Sequence, residues 1–205
     1  MAWRIAACLL AGYLLGGLNG AIVVSHVFLR DDVRKKGSGN AGLTNYLRNY
    51  GGAATILVAA IDVLKTVAAC LLGMWLLPSD PQLGKMIAGA AAQVGHIFPV
   101  YYRFRGGKGI VCAGALALMM DWRILAILFS VFLILFFTTH LVSLGSVVAA
   151  LGYAAAFLIF FRDRLDIALI GVGVALLALF MHRSNIVRLL RGQETKTYLK
   201  KSQRK

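Results

Sequence analysis

Seven apolar runs, at about 5–29, 51–77, 85–102, 109–120, 124–140, 146–161 and 167–181, take up most of the chain. A helix that crosses a bilayer needs about 20 mostly apolar residues, and the segments between these runs are short. With 60% hydrophobic and 15% charged residues the chain is far too apolar for an ordinary soluble domain. The expectation is an all-α integral membrane protein with seven transmembrane helices. It forms a single domain over 1–205, in which 182–205 is a basic cytoplasmic interfacial tail. Residues 3–29 imitate a signal peptide, but the run is long for one and has no clear cleavage site, so it is read as the first span.

Cations fix the expected orientation. On one set of alternate sides the loop 30–50 holds five, 103–108 holds three and the tail from Arg183 holds eight. The other side holds five, and Lys65 lies inside a span. Sixteen against five puts the first set in the cytoplasm, with the amino terminus outside and the carboxy terminus inside. The net charge of +14 then reflects that bias and no nucleic acid is expected as a partner. Cys8, Cys70 and Cys112 stand in apolar runs without ligand spacing, so neither a metal nor a disulfide is expected.

Three polar segments fall on the cytoplasmic face of this topology. The first runs from Lys35 to Arg48. Gly37, Gly39 and Gly42 free its backbone, and Ser38, Asn40, Thr44 and Asn45 supply small donors. If 43–50 opens a helix, Arg48 lies one turn beyond Thr44 on the same face, and the whole is a nest for an oxyanion or phosphate. The second is Gly95-His-Ile-Phe-Pro99 followed by Arg103, Arg105 and Gly106-Gly-Lys-Gly109. A helix starting near Gly109 would aim its positive end at Lys108 and those glycines. It is not a Walker loop, since no Ser or Thr follows Lys108. The third is the tail from His182, where His182 and Asn185 share a helical face and Ile186, Leu189 and Leu190 alternate with Arg188 and Arg191. His26, His96, His140 and His182 all lie near inner helix ends, and Ser143 sits in a hydroxyl-rich inner turn. Asp62 and Lys65, three apart in the second run, are read as a structural ion pair that locks the bundle. Gly12, Gly16 and Gly20 flatten one face of the first span for close packing.

Taken together, Gly37-Ser-Gly-Asn-Ala-Gly-Leu-Thr-Asn45, Gly95-His-Ile-Phe-Pro99 with Gly106-Gly-Lys-Gly109, and His182-Arg-Ser-Asn-Ile-Val-Arg-Leu-Leu-Arg-Gly192 resemble the bacterial acyl-phosphate–glycerol-3-phosphate acyltransferase (PlsY) family in order, spacing and total length. Asp62-Val-Leu-Lys65 is similar to that family's second span. Ser184, His140 and Thr66 depart from its usual pattern. The resemblance implies transfer of a fatty acyl group from acyl phosphate to the sn-1 hydroxyl of glycerol 3-phosphate. The products would be lysophosphatidic acid and inorganic phosphate, in the first acylation of phospholipid synthesis. It implies no cofactor, a multi-pass place in the bacterial plasma (inner) membrane, an active site on the cytoplasmic side, and contact with membrane lipid and with the enzyme that makes acyl phosphate. His182, Asn185, Lys108 and Ser38 are expected to be catalytic. Gly39, Asn40, Gly42, Thr44, Asn45, Arg48, His96, Gly106, Gly107 and Ser143 are expected to bind substrate and phosphate.

Two other readings compete. His26-Val-Phe-Leu-Arg-Asp31 matches the His-x4-Asp motif of acyltransferases that use thioester donors, but with no second match to them. A small anion transporter would suit Asp62 and Lys65, but a pathway needs polar groups on both sides, and here they gather on one.

Overall fold

The computed structural model describes residues 1–198, so the last seven residues of the expected tail lie outside it. Ten α-helices form among the described residues: α1 (Ala2–Gly16), α2 (Gly20–Leu29), α3 (Leu43–Asn49), α4 (Ala54–Leu76), α5 (Pro81–Ile97), α6 (Ile110–Met120), α7 (Trp122–Thr139), α8 (Val142–Phe160), α9 (Leu165–Met181) and α10 (Arg183–Leu190). The all-helical expectation holds, and every apolar run is helical. Four units are long and apolar enough to cross a membrane: α1 with α2, α4, α7 and α8. The α9–α10 pair passes the same test together but bends by 60° at His182, and α6 has only 11 residues.

The first run is not the uninterrupted span its composition implied. It unwinds at Gly17–Asn19 and restarts as α2, with Asn19 capping the new helix by accepting from Ile22 N at 3.1 Å. A break among apolar residues strands backbone polar groups, which must be satisfied internally. Here Lys65 Nζ donates to the Leu18 carbonyl at 3.0 Å, and Gly20 N donates to Asp62 Oδ1 at 3.1 Å. The two side chains pair with each other at 2.7 Å. The intramembrane charges therefore stitch α4 to the broken helix, which is the locking role expected of them, made specific.

Small residues set the close packing. A Cβ on Gly12 or Gly16 would overlap the backbone of Ala88 or Ala92 in α5, while Gly20 faces Val58 of α4. Beside this seam one apolar cluster joins α4, α5, α6, α7, α8 and α9 through Cys70, Met86, Leu116, Ile124, Phe157 and Ile167. Outward-facing Leu64, Trp75, Ile134, Ile159 and Leu176 are all more than half exposed. An apolar exterior of that extent is what a helix bundle in lipid presents.

Candidate functional site

Where several helix ends meet, a polar pocket of about 150 Å³ opens. The loop before α3 and α3 itself supply Ser38, Asn40, Gly42, Thr44, Asn45 and Arg48. Lys108 and Gly109 stand at the amino end of α6, Ser143 and Ser146 on the first turn of α8, and His182 and Asn185 at the α9–α10 bend. Asp62 and His96 line it from α4 and α5. Three segments far apart in sequence are thus brought to one cavity.

The pocket's charges are arranged as a network. Lys108 Nζ donates to Asn185 Oδ1. Asn185 Nδ2 donates to Glu194 Oε1 at 3.0 Å, and Arg188 Nε donates to Glu194 Oε2 at 2.8 Å. Burial, then the nearby Arg188, pulls the Lys108 ammonium down to about 8. Burial also lowers Arg48. Arg48 Nε donates to Thr197 Oγ1 at 2.8 Å and its Nη2 to the Thr195 carbonyl at 2.7 Å, so residues 194–197 run beside the pocket as a strap tied to α3. His182 Nδ1 lies 2.8 Å from the Ala178 carbonyl, which can only accept. That assigns the proton to Nδ1 and leaves Nε2 as the ring's acceptor. Burial pushes His182 down to about 4, so the ring is neutral at ordinary pH.

Not every expected ligand faces this cavity. Gly39, Gly106 and Gly107 are not among its lining residues. The amides of Gly106 and Gly107 donate to the Ile97 and His96 carbonyls at 3.1 Å each, so they close the loop back on α5 and offer no free donors. A Cβ on Gly107 would overlap the His96 imidazole. Gly39 N is likewise spent on the Lys36 carbonyl at 3.0 Å. Asn45 lines the pocket but works mainly as a brace. Its Nδ2 donates to the Val33 and Lys36 carbonyls, and its Oδ1 accepts from Ser38 N at 3.0 Å. Arg103 and Arg105 are exposed and away from the lining.

The alternative histidine motif does not assemble. His26 lies outside the pocket, and its Nε2 stands 4.0 Å from Asp32, not beside Asp31. Asp31 instead pairs with Lys36 and accepts from Tyr50 Oη at 2.9 Å. Among the described residues no group of three or more His, Cys, Asp or Glu could hold a metal ion.

Sequence reasoning missed four kinds of contributor. Glu194 and Ser146 were not singled out, Arg188 was assigned only to an interfacial face, and Asp62 only to a lock. A carboxylate two residues beyond Gly192, in a strongly basic tail, was the one signal available for Glu194.

A second cavity shares part of the polar pocket's wall. An apolar groove of about 380 Å³ runs between α4, α6, α7, α8 and α9, lined by Ala59, Val63, Gly114, Leu118, Phe129 and Tyr153 among others. Leu43, Ile110, Val111 and Phe132 line both.

Comparison with known proteins places this geometry in a family. Residues 6–192 match the family model described as glycerol-3-phosphate acyltransferase. A glycerol-3-phosphate acyltransferase of Finegoldia magna is 38% identical over 184 residues, 90% of this chain and 91% of that one. The crystal structure of PlsY (YgiH), an integral membrane glycerol 3-phosphate acyltransferase, in its glycerol 3-phosphate form superposes with a TM-score of 0.84. It is 29% identical and the match covers 95% of this chain and 96% of that one. The lysophosphatidic acid form of the same protein gives a TM-score of 0.81.

Proposed function

The chain belongs to the glycerol-3-phosphate acyltransferase family, and from that premise we propose that it moves a fatty acyl group from acyl phosphate to the sn-1 hydroxyl of glycerol 3-phosphate. The observation that carries the reading is the shared wall of Leu43, Ile110, Val111 and Phe132 between a cationic pocket and an apolar groove. An acyl phosphate has that same division. Its chain suits the groove, its phosphate suits the pocket, and its carbonyl carbon falls at the shared wall.

Both substrates carry phosphate, and Arg48, Lys108 and Arg188 supply the positive charge to hold two of them. Ser38, Asn40 and Thr44 add neutral donors, and the amino end of α6 adds its dipole. His182, with a neutral ring, and Asn185 contact glycerol 3-phosphate and orient it. The hydroxyl oxygen attacks the carbonyl carbon, and the bond from that carbon to the phosphate oxygen breaks. The electron pair leaves with the phosphate, which takes up the hydroxyl proton. A phosphate is a good leaving group, so positioning and charge neutralisation carry most of the acceleration. No cofactor enters the scheme.

The cation count supports a chain crossing the bacterial plasma membrane seven times, amino terminus outside, with the pocket opening to the cytoplasm. Acyl phosphate would then arrive from the enzyme that makes it on that side. A thioester donor brings a bulky head group, and the short loops here are suited to nothing larger than phosphate. The test is direct. Purified protein receives labelled glycerol 3-phosphate with palmitoyl phosphate, palmitoyl-CoA or palmitoyl carrier protein. Lysophosphatidic acid should form from the first donor alone. Equal rates from a thioester would overturn the donor assignment, and no product from any donor would overturn the reaction.

A further inference from the structure

Asp62 is only half explained by its part in stitching the broken helix. Its Oδ1 accepts from Gly20 N at 3.1 Å and pairs with Lys65 Nζ at 2.7 Å. Its Oδ2 is buried and has no hydrogen-bond partner among the described residues, although the residue is 1% exposed. A buried carboxylate oxygen without a donor is costly, and such atoms call for an explanation. Asp62 lines the polar pocket, and its neighbours on α4, Ala59 one turn before it and Val63 next to it, line the apolar groove. The carboxylate therefore stands beside the junction of the two cavities. Ser143, on α8, lines the same pocket; it is 5% exposed and its Oγ is also buried without a hydrogen-bond partner among the described residues.

Lys65 at 2.7 Å and His96 at 3.3 Å both face Asp62 Oδ1, but Oδ2 can only accept, as can the oxygens of an ionised phosphate, so no phosphate group belongs against Oδ2. The group that fits is a neutral donor, a hydroxyl, on a molecule whose phosphate goes to the pocket's cations, Arg48, Lys108 and Arg188. We propose that Asp62 Oδ2 accepts the hydrogen bond of the attacking sn-1 hydroxyl of glycerol 3-phosphate, with Ser143 Oγ as a second contact at the same end. This rests on the glycerol 3-phosphate reading above and gives that molecule a direction in the pocket. Asp62 would thus hold together the fold on one oxygen and the substrate on the other. The same placement sets the attacking oxygen at the wall where the acyl carbonyl enters, and as the new bond forms the hydroxyl turns its proton from Asp62 to the departing phosphate.

The test pairs a change in the residue with a change in the ligand, so that a purely structural role cancels. Binding is measured calorimetrically without acyl donor, for glycerol 3-phosphate, for 2-hydroxypropyl phosphate, which lacks the sn-1 hydroxyl, and for 3-hydroxypropyl phosphate, which lacks the sn-2 hydroxyl. A hydrogen bond to a charged group is worth about tenfold or more in affinity. Wild-type protein should therefore prefer glycerol 3-phosphate over 2-hydroxypropyl phosphate by about tenfold or more, and Asp62→Asn should shrink that gap to about twofold or less. The gap against 3-hydroxypropyl phosphate should stay as in wild type. If Asp62→Asn alone fails to fold, Asp62→Asn with Lys65→Met removes both charges of the pair and serves in its place. Ser143→Ala gives an independent reading and should narrow the same gap.

An unchanged gap in a folded Asp62 variant that still binds glycerol 3-phosphate overturns this inference and leaves the acyltransferase reading standing. So does closure of the sn-2 gap in place of the sn-1 gap. Wild-type protein that binds none of the three ligands overturns both.

Discussion

The loop before α3 and the loop before α6 share a composition of glycines and cations, yet the first offers side chains to the pocket while the second mostly offers backbone to its neighbours. From the first, Ser38, Asn40, Thr44 and Arg48 all line the cavity. From the second, only Lys108 and Gly109 do. Gly106 and Gly107 instead seat the loop against α5 by hydrogen bonds to Ile97 and His96. Composition marks both as phosphate loops. Which amides remain free is decided by tertiary hydrogen bonds that composition does not contain.

The comparison breaks first at Lys108. If the second loop contributes one working side chain, removing it should cost nearly all the loop gives to rate. Lys108→Ala is expected to lower kcat/KM by about a hundredfold or more, measured on folded protein with both substrates varied. A near-normal value would remove Lys108 from the site and with it the second loop's claim to chemistry. The first loop spreads its work over several side chains, so its largest single loss should be smaller. Arg48→Ala is expected to cost roughly thirtyfold, the worth of a charge-assisted hydrogen bond. Part of that loss would come from freeing the strap at Thr195 and Thr197.

A pH series sharpens the same contrast, because the two cations differ in how near their titration lies to working conditions. Lys108 is drawn from its ordinary 10.5 to about 8 by burial, whereas an arginine stays charged throughout. Affinity for glycerol 3-phosphate should therefore fall about fivefold between pH 8 and pH 9 at the limit where the ammonium is obligatory. Stability should move the other way. Between about 8 and 10.5 the unfolded chain binds the proton that the folded chain has lost, so this group's contribution to stability rises with pH. Titrating KM and the thermal midpoint on one sample tests both signs. Lys108→Arg should abolish the affinity change, and a KM that tracks pH unchanged in that variant would assign the effect elsewhere.

How much could be read from residues alone differs between fold and site in an instructive way. The seven apolar runs became helices because hydrophobic length is a local property. Asn19 before Gly20 was a capping signal inside the first run, but the apolar residues on both sides hid it, and the partners that make the break tolerable, Asp62 and Lys65, lie some forty residues on. The site's constellation of His182, Asn185, Lys108, Ser38 and Arg48 was legible because the expected topology put their polar segments on one side, and in the structure they line one pocket. Glu194 and the strap were not legible, since a single carboxylate in a basic tail has no periodicity to place it. Asp62 was seen as charged and intramembrane, but nothing in a spacing of three says that one of its oxygens is left over.

Glycine substitutions should separate the two loops by stability where cation substitutions separate them by rate. A methyl on Gly107 meets the His96 ring and comes within 2.8 Å of the Ala41 carbonyl. Gly107→Ala should therefore cost about 1–3 kcal/mol, the range for overpacking a tight contact. Gly39 has φ +72 but open space around its missing side chain, where the nearest atom is the Arg34 carbonyl oxygen at 3.4 Å. Gly39→Ala should cost only about 1 kcal/mol of backbone strain. Thermal unfolding in one detergent compares them. Equal losses would mean that the second loop is not seated as tightly as its hydrogen bonds imply.

The smallest effect is expected from the two remaining cations of the second loop, and it bears on the comparison most directly. Arg103 and Arg105 stand within five residues of Lys108, carry the same charge, and read in the sequence as three arms of one cradle. In the structure they are exposed, and Arg103 sits in a left-handed turn with φ 57, which points the chain outward before it returns to α6. Charges that far into water are screened within about 8–10 Å at physiological salt. Arg103→Gln and Arg105→Gln, singly or together, should leave kcat/KM within about twofold at 150 mM salt. At low salt the double change should slow the reaction slightly more, through weaker attraction of two anionic substrates. If either single change instead matches Lys108→Ala, the second loop is a phosphate cradle after all, and the division of labour between the two loops fails. If both are silent while Lys108→Ala is severe, one lysine held at the amino end of α6 does the loop's chemical work, and the other two cations serve the membrane surface.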